Sequence, residues 1–304
     1  MHKFGGADTA RKLRCLEEYL EAYSTALKGQ DFKRIYIDAF AGSGDRTEVR
    51  AALPLFGEDF TEPEEVTTPG SARIAACTQP AFSQIFLVER DPKRFSALQE
   101  MTNEFPNLQF KLHKDDANAV VQKLCKDIPW HSRTPDAPRG WRGVVFLDPY
   151  GMEVDWNTVE AVAATTALDM WYFFPLMGLY RQAALQAPSI SSDKKDRLNR
   201  IFGTDEWFSQ WYKHPNGPTD LFDDPISAVR TADVNQIEKY IHERLLSVFR
   251  GTVLAPLRLY NDRGAPLASL FFAVSNPSTA AVRVATKIAS HILKRGKSSQ
   301  RRSR

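Results

Sequence analysis

Apolar residues recur along this chain in short continuous runs, each closed by a polar or acidic residue and followed by a stretch with helical spacing. The runs are "RIYIDAF" (34–40), "SQIFLVERD" (83–91), "LQFKLHKDD" (108–116), "GVVFLDPYG" (143–151) and "DMWYFFPL" (169–176). Their length and β-branched or aromatic content predict buried strands. The stretches between them predict helices: "GSARIAACTQ" after Pro69, "DPKRFSALQEMTNEF" with Asp91 as cap and Pro92 in the first turn, "ANAVVQKLCKDI", and "DWNTVEAVAATTAL" capped by Asp155. Strands alternating with helices imply a mainly parallel sheet. Ahead of them, Leu13, Leu16, Leu20, Tyr23 and Leu27 form one apolar stripe of a helix that ends at Gly29 and packs on the sheet.

After Pro175 the alternation stops. Residues 178–250 read as helices with many charges, and "TVLAPLRLYNDRGAPLASLFFAVSN" (252–276) reads as two strands around the turn "NDRG". A last helix spans "STAAVRVATKIASHILKR" (278–295). The expected organisation is a helix over 1–29, an α/β domain over 30–177 and 251–293 whose final antiparallel hairpin returns to the sheet, and a helical insertion over 178–250 serving as a substrate or partner cap. A basic, disordered tail over 294–304 completes the chain.

Composition narrows this picture. A chain of 304 residues with 43% hydrophobic content can bury a sizeable core. Its longest apolar run, from Met170, is too short to span a membrane, and the N-terminus has no secretory apolar segment, so a soluble cytoplasmic protein is expected. Cys15, Cys77 and Cys125 are isolated; neither a disulfide framework nor a metal site is expected. The net charge of +3 hides an uneven distribution: residues 294–304 carry six lysines and arginines and no acid, leaving −3 on the rest. Such a tail either attracts phosphates or merely solubilises the chain.

The chemically distinctive residues sit at the carboxyl ends of the predicted strands, where open parallel sheets bind ligands. After the first strand come Asp38, Phe40, Gly42, Ser43 and Gly44, a loop whose glycines permit a tight turn and close approach by a ligand. Glu89 closes the second strand and can accept both hydroxyls of a ribose. Asp116, with Ala117, closes the third and can receive an adenine amino group. The fourth ends in Asp148, Pro149, Tyr150 and Gly151. A dinucleotide fold would require GxGxxG, but the third glycine position is Thr47.

The ordered set of glycine loop, Glu, Asp and Asp-Pro-Tyr matches class I methyltransferases that use S-adenosylmethionine. More closely, "YIDAFAGSG", "PGSA", "FLVERDPKRF", "KDDAN", "FLDPYG" and "LASLFFAVSNP" resemble the three-Cys-motif partner protein family. That resemblance implies a Rossmann-like class I methyltransferase sheet and association with a radical-SAM-like protein that itself carries the three cysteines. The tetrapeptide "DPYG" also resembles the Asp-Pro-Phe/Tyr-Gly motif of tRNA guanine-N2 dimethyltransferases, which implies an amino-group acceptor, on a nucleobase of RNA or DNA. In that reading Asp148 and the Pro149 carbonyl accept from the amine and Tyr150 stacks on the base. The competing reading is an accessory protein that holds the cofactor without turnover. The segment 45–69 departs from the family pattern and is expected to form a lid.

Other residues have weaker claims. His113 and His131 have no paired nucleophile and are expected to be structural. Of the run 171–174, only Phe174, with Pro175 after it, is expected near a substrate. For Trp207, Trp211, Arg197 and Arg200 two readings stay open, a nucleic-acid face and a packed helical cap.

Overall fold

The computed structural model describes residues 7–50, 64–213, 228–261 and 264–302. In chain order it contains α1 (Ala7–Ala26), β1 (Lys33–Asp38), β2 (Asp45–Arg50), β3 (Glu64–Pro69), α2 (Ser71–Cys77), β4 (Gln84–Val88), α3 (Pro92–Asn103), β5 (Phe110–His113) and α4 (Ala117–Asp127). Then come β6 (Trp141–Leu147), α5 (Trp156–Ala164), β7 (Leu168–Phe174), α6 (Leu176–Gln182), α7 (Ser192–Phe202), α8 (Glu206–Trp211), β8 (Tyr212–Lys213) and β9 (Val229–Arg230). The last elements are α9 (Val234–Val248), β10 (Thr252–Val253), β11 (Leu257–Tyr260), β12 (Pro266–Val274) and α10 (Thr279–Arg302).

The main sheet runs β10-β12-β7-β6-β1-β4-β5, with β11 also paired to β12. Strands β5, β4, β1, β6 and β7 are parallel, and β12 returns antiparallel to β7. This is a Rossmann-like α/β sheet with a closing antiparallel strand pair, as the sequence pattern predicts. Because the strands are covered on both faces, successive residues alternate between two cores. Ile35, Ile37, Val145 and Leu147 face one cluster with α4, α5 and α9; Tyr36, Val144 and Phe146 face another with α1, α2 and α10.

The stripe predicted on α1 is buried on the second face, Leu13, Leu16, Leu20 and Tyr23 with Leu27 packed against them. Tyr19 joins it, its hydroxyl donating to Asp169 Oδ2 at 2.7 Å. Asp91 caps α3, accepting from Lys93 N and Arg94 N, and Asp116 caps α4, accepting from Ala119 N. Asp155 occupies the cap position of α5 but makes no capping hydrogen bond; its carboxylate instead lies 2.8 Å from Arg200 Nε.

One difference from expectation has a physical cause. Residues 294–302, expected as a disordered tail, continue α10. No proline interrupts them, Gly296 presses onto Leu257, and basic residues suit the negative end of a helix dipole. The expected lid segment begins and ends as a ribbon, β2 paired antiparallel with β3, while residues 51–63 lie outside the described residues. Within 178–250, α9 rests on β10 and β12, and Leu198, Ile201, Phe202, Ile237 and Leu245 share the core cluster of α4 and α5. Among the described residues no helix is long and apolar enough to cross a membrane.

Candidate active site

The chain leaves β1 for β4 on one side and later places β6 on the other, so the carboxyl end of β1 is the switch point of the sheet. The loop after β1 is pinned to both neighbours: Ala39 N donates to Phe146 O (3.1 Å) and Ala41 N to Val88 O (2.9 Å). Gly42 and Gly44 have φ of 62° and 86°, in the left-handed region that side chains resist. The two differ in surroundings. A Cβ on Gly44 would lie 2.9 Å from Met101 Cε, whereas one on Gly42 would meet only Tyr150 Oη, at 3.6 Å. Gly42 therefore faces the open side of the loop, and Gly44 faces packed structure. Ser43 Oγ donates to Asp45 O at 2.6 Å and closes the turn.

Gly70 explains the motif "PGSA". Its N–H donates to Gly44 O at 3.0 Å, and a Cβ there would fall 2.5 Å from that oxygen. Only glycine lets the start of α2 touch the loop this closely.

Asp38 turns inward. Its carboxylate is fully buried, accepts from Tyr36 Oη (3.1 Å) and Phe40 N (3.3 Å), and orients the loop from beneath. Burial pushes its pKa up to about 6; the hydrogen bond from Ser71 opposes this and the nearby Asp148 charge adds to it. Phe40 rests, half-buried, on the cluster formed with α4 and α5.

Glu89 is 5% exposed at the end of β4. Its Oε1 accepts from Asp91 N (2.7 Å) and lies 3.1 Å from an Arg94 guanidinium nitrogen. Both contacts fall on Oε1; among the described residues Oε2 accepts no hydrogen bond. Arg94 also stacks over the Tyr150 ring, 4.3 Å from its centroid. Arg94 thus ties the end of β4 to the end of β6, and the exposed Arg90 does so again with Glu153 at 3.8 Å. Tyr150 is 63% exposed; partial burial of its hydroxyl raises its pKa while Arg94 opposes the rise. Asp116 is exposed at the start of α4, and Ala117 packs beneath it.

Asp148 has a partner that no sequence motif announced. Lys12 Nζ, from α1, lies 2.6 Å from Asp148 Oδ2 and 4.3 Å from the centroid of the Phe173 ring. The lysine side chain is 8% exposed and the carboxylate 20%. Lys12 holds one carboxylate oxygen, Oδ2. Pro149 is buried behind it.

Arg94 therefore joins Glu89 to Tyr150, whose hydroxyl lies beside Gly42, and Asp148, two residues before Tyr150 in the chain, is held separately by Lys12. Asp116 lies at the same sheet edge without a contact to them. Arg94 and Lys12 were missed because an arginine in a helix and a lysine beside an apolar stripe have no local signature.

The remaining candidates fall outside the cluster. His131 Nε2 bonds Thr165 O and Thr166 Oγ1, and His113 stacks on Phe86 with its pKa lowered by burial. Phe174 is fully buried and Pro175 half-buried. Trp207 and Trp211 are buried against Phe202 and Tyr240, which decides for a packed role over a nucleic-acid face. Arg200 pairs with Asp155, and Arg197 is exposed.

No family model and no curated protein match the chain. Among solved structures it is similar to the Legionella pneumophila protein LPL1258 (DUF519), with 10% identity over 92% of each chain and a TM-score of 0.48. It is also similar to Trm1 from Pyrococcus horikoshii in complex with S-adenosyl-L-methionine, with 10% identity over 93% of this chain and 58% of that one, TM-score 0.43. A candidate S-adenosylmethionine-dependent methyltransferase from Listeria monocytogenes matches at 8% identity over 84% and 97%, TM-score 0.39. At these identities and TM-scores the likeness carries no activity over to this chain. None of these names the three-Cys-motif partner family.

Proposed function

We propose that this chain is an S-adenosylmethionine-dependent methyltransferase acting on an amino group, with a nucleobase amine as the acceptor its residues suit best. The observation that carries this is the meeting of Gly42, Glu89 and Tyr150 beside Asp148 at three adjacent strand ends around the switch point.

The residues fit such a cofactor. Gly42 offers backbone unshielded by a side chain, and Glu89 Oε2, which accepts no hydrogen bond among the described residues, is suited to ribose hydroxyls. Asp116, whose cap bond uses Oδ1, is the proposed acceptor for the adenine amino group, with Ala117 beneath it. Asp38, Phe40, Ser43 and Gly44 shape the loop and hold it. When bound, the cofactor supplies a methyl group already activated by cationic sulfur.

The chain's own residues would position the acceptor. An aromatic amine is a poor nucleophile because its lone pair is delocalised into the ring. Hydrogen bonds from its two protons to Asp148 Oδ1 and the Pro149 carbonyl draw the nitrogen toward a tetrahedral form, and Tyr150 can stack on the base. Lys12, fixed on Oδ2, stops the carboxylate from rotating away. Orientation of this kind can supply much of the acceleration.

Calorimetric titration with S-adenosylmethionine and S-adenosylhomocysteine tests the assignment. Binding of both is expected. Absence of heat and of any thermal shift with either would remove it. Binding without methyl transfer, alone or with a three-Cys radical-SAM-like partner, would favour the accessory reading.

A further inference from the structure

Helix α10 carries seven of the chain's 40 lysines and arginines and none of its 37 acids, so a chain of net +3 has net −4 outside this helix. Arg283, Lys287, His291, Lys294, Lys297 and Arg301 follow one another at steps of four or three, which keeps them on one face over five turns, about 27 Å. The first five are exposed. On the opposite face Ala285, Ala289 and Ile292 are buried, and a Cβ on Gly296 would lie 2.7 Å from Leu257 Cδ2. An ordinary solvated helix mixes both signs. Here a 24-residue helix has one sign only, and among the described residues the acidic partner it meets is Glu18, 3.4 Å from Arg295 on the flank of that face.

The topology brings this face to the candidate site. Strand β12 ends at Val274, paired with Asp169 at the start of β7, on the edge opposite the site. From there α10 runs back toward the carboxyl edge of the parallel strands. Helix α1 runs the other way, from Lys12 at Asp148 to the start of β1. Glu18 meets Arg295, so the seven residues after Arg295 rise about 10 Å beside the first turns of α1. The end of α10 comes level with Arg11, Lys12 and Arg14 at the rim that holds Asp148.

We propose that the basic face of α10 is a docking track for a nucleic-acid backbone, delivering a nucleic acid to the site at the sheet edge. The delivery rests on the methyltransferase reading; the binding does not. A polyanion with regularly spaced charges matches a row of cations along one helix. An anionic membrane is the weaker match, because an interfacial helix must bury an apolar face in lipid and that of α10 is already covered by α1 and the sheet.

Fluorescence anisotropy with a labelled single-stranded RNA of about 20 nucleotides, without cofactor, tests this. The triple variant Lys287→Glu/Lys294→Glu/Lys297→Glu should bind at least about tenfold more weakly, and its log–log salt slope should be shallower by about 2, the value for three lost phosphate contacts. These side chains are exposed, so its melting temperature should hold; Lys287→Ala/Lys294→Ala/Lys297→Ala gives the same direction with less perturbation. Unchanged affinity and slope in both variants would overturn the proposal, as would binding to phosphatidylserine vesicles without binding to RNA. Calorimetry with S-adenosylmethionine reports separately on the methyltransferase reading.

Discussion

Lys12 Nζ lies 2.6 Å from Asp148 Oδ2, joining the first turns of the first helix to the end of a strand 136 residues away. The pair is largely shielded from water, so each charge depends on the other. Removing one partner of a buried pair leaves an uncompensated charge.

Lys12→Met should therefore destabilise the fold by roughly 1 to 3 kcal/mol, between the values for exposed and fully buried pairs. Lys12→Met/Asp148→Asn should recover most of the loss in urea unfolding. A double variant no more stable than the single one would contradict the coupling.

Glu89 meets Asp91 N and Arg94 through one oxygen, and the other is the proposed ribose acceptor. Glu89→Ala should weaken S-adenosylmethionine binding by about 10- to 150-fold, the factor for a charge-assisted hydrogen bond of about 1.5 to 3 kcal/mol. Calorimetry reads this directly, and equal affinity would remove Glu89 from the cofactor site.

Gly70→Ala places a methyl group against Gly44 O, where the gap is 2.5 Å. The expected cost is about 1 to 3 kcal/mol, as for overpacking elsewhere. Because the displaced segment is the loop after β1, cofactor affinity should fall as well. A variant with lower stability and unchanged affinity would separate this contact from the site.

Asp169 is buried, and that burial raises its pKa to about 7, with Tyr19 and Arg142 opposing the rise. The folded state then holds a proton that the unfolded chain releases near pH 4. The stability this gives is present below pH 4 and is lost as pH rises to about 7; Asp38, raised to about 6, acts in the same sense. Asp169→Asn should flatten the fall in stability between pH 4 and 7, by at most about 4 kcal/mol, and exceed wild type at pH 8. Equal slopes in chemical denaturation across that range would contradict it.

The sheet was legible because its strands are apolar runs covered on both faces, and Glu89 and Asp148 were legible because each closes such a run. The ribbon of β2 and β3 was not, since "DRTEVR" has no apolar run to mark it as a strand. Lys12 and Arg94 act through contacts between distant segments, which periodicity does not encode. Asp155 stands where a cap belongs, yet Arg200 takes its carboxylate. The end of α10 was not legible either, because a run of basic residues does not mark helical continuity.

In the proposed reaction the strand-end cluster transfers a methyl group to an amine of nucleic acid. Transfer of labelled methyl from S-adenosylmethionine into total RNA and DNA, compared between wild type and Asp148→Ala, tests it most directly. Label is expected in a base amino group with wild type, with a loss of roughly 10²- to 10³-fold in the variant, the usual range for removing one preorganised hydrogen-bonding group. Equal incorporation by the two proteins, or none by wild type that binds the cofactor, would contradict it.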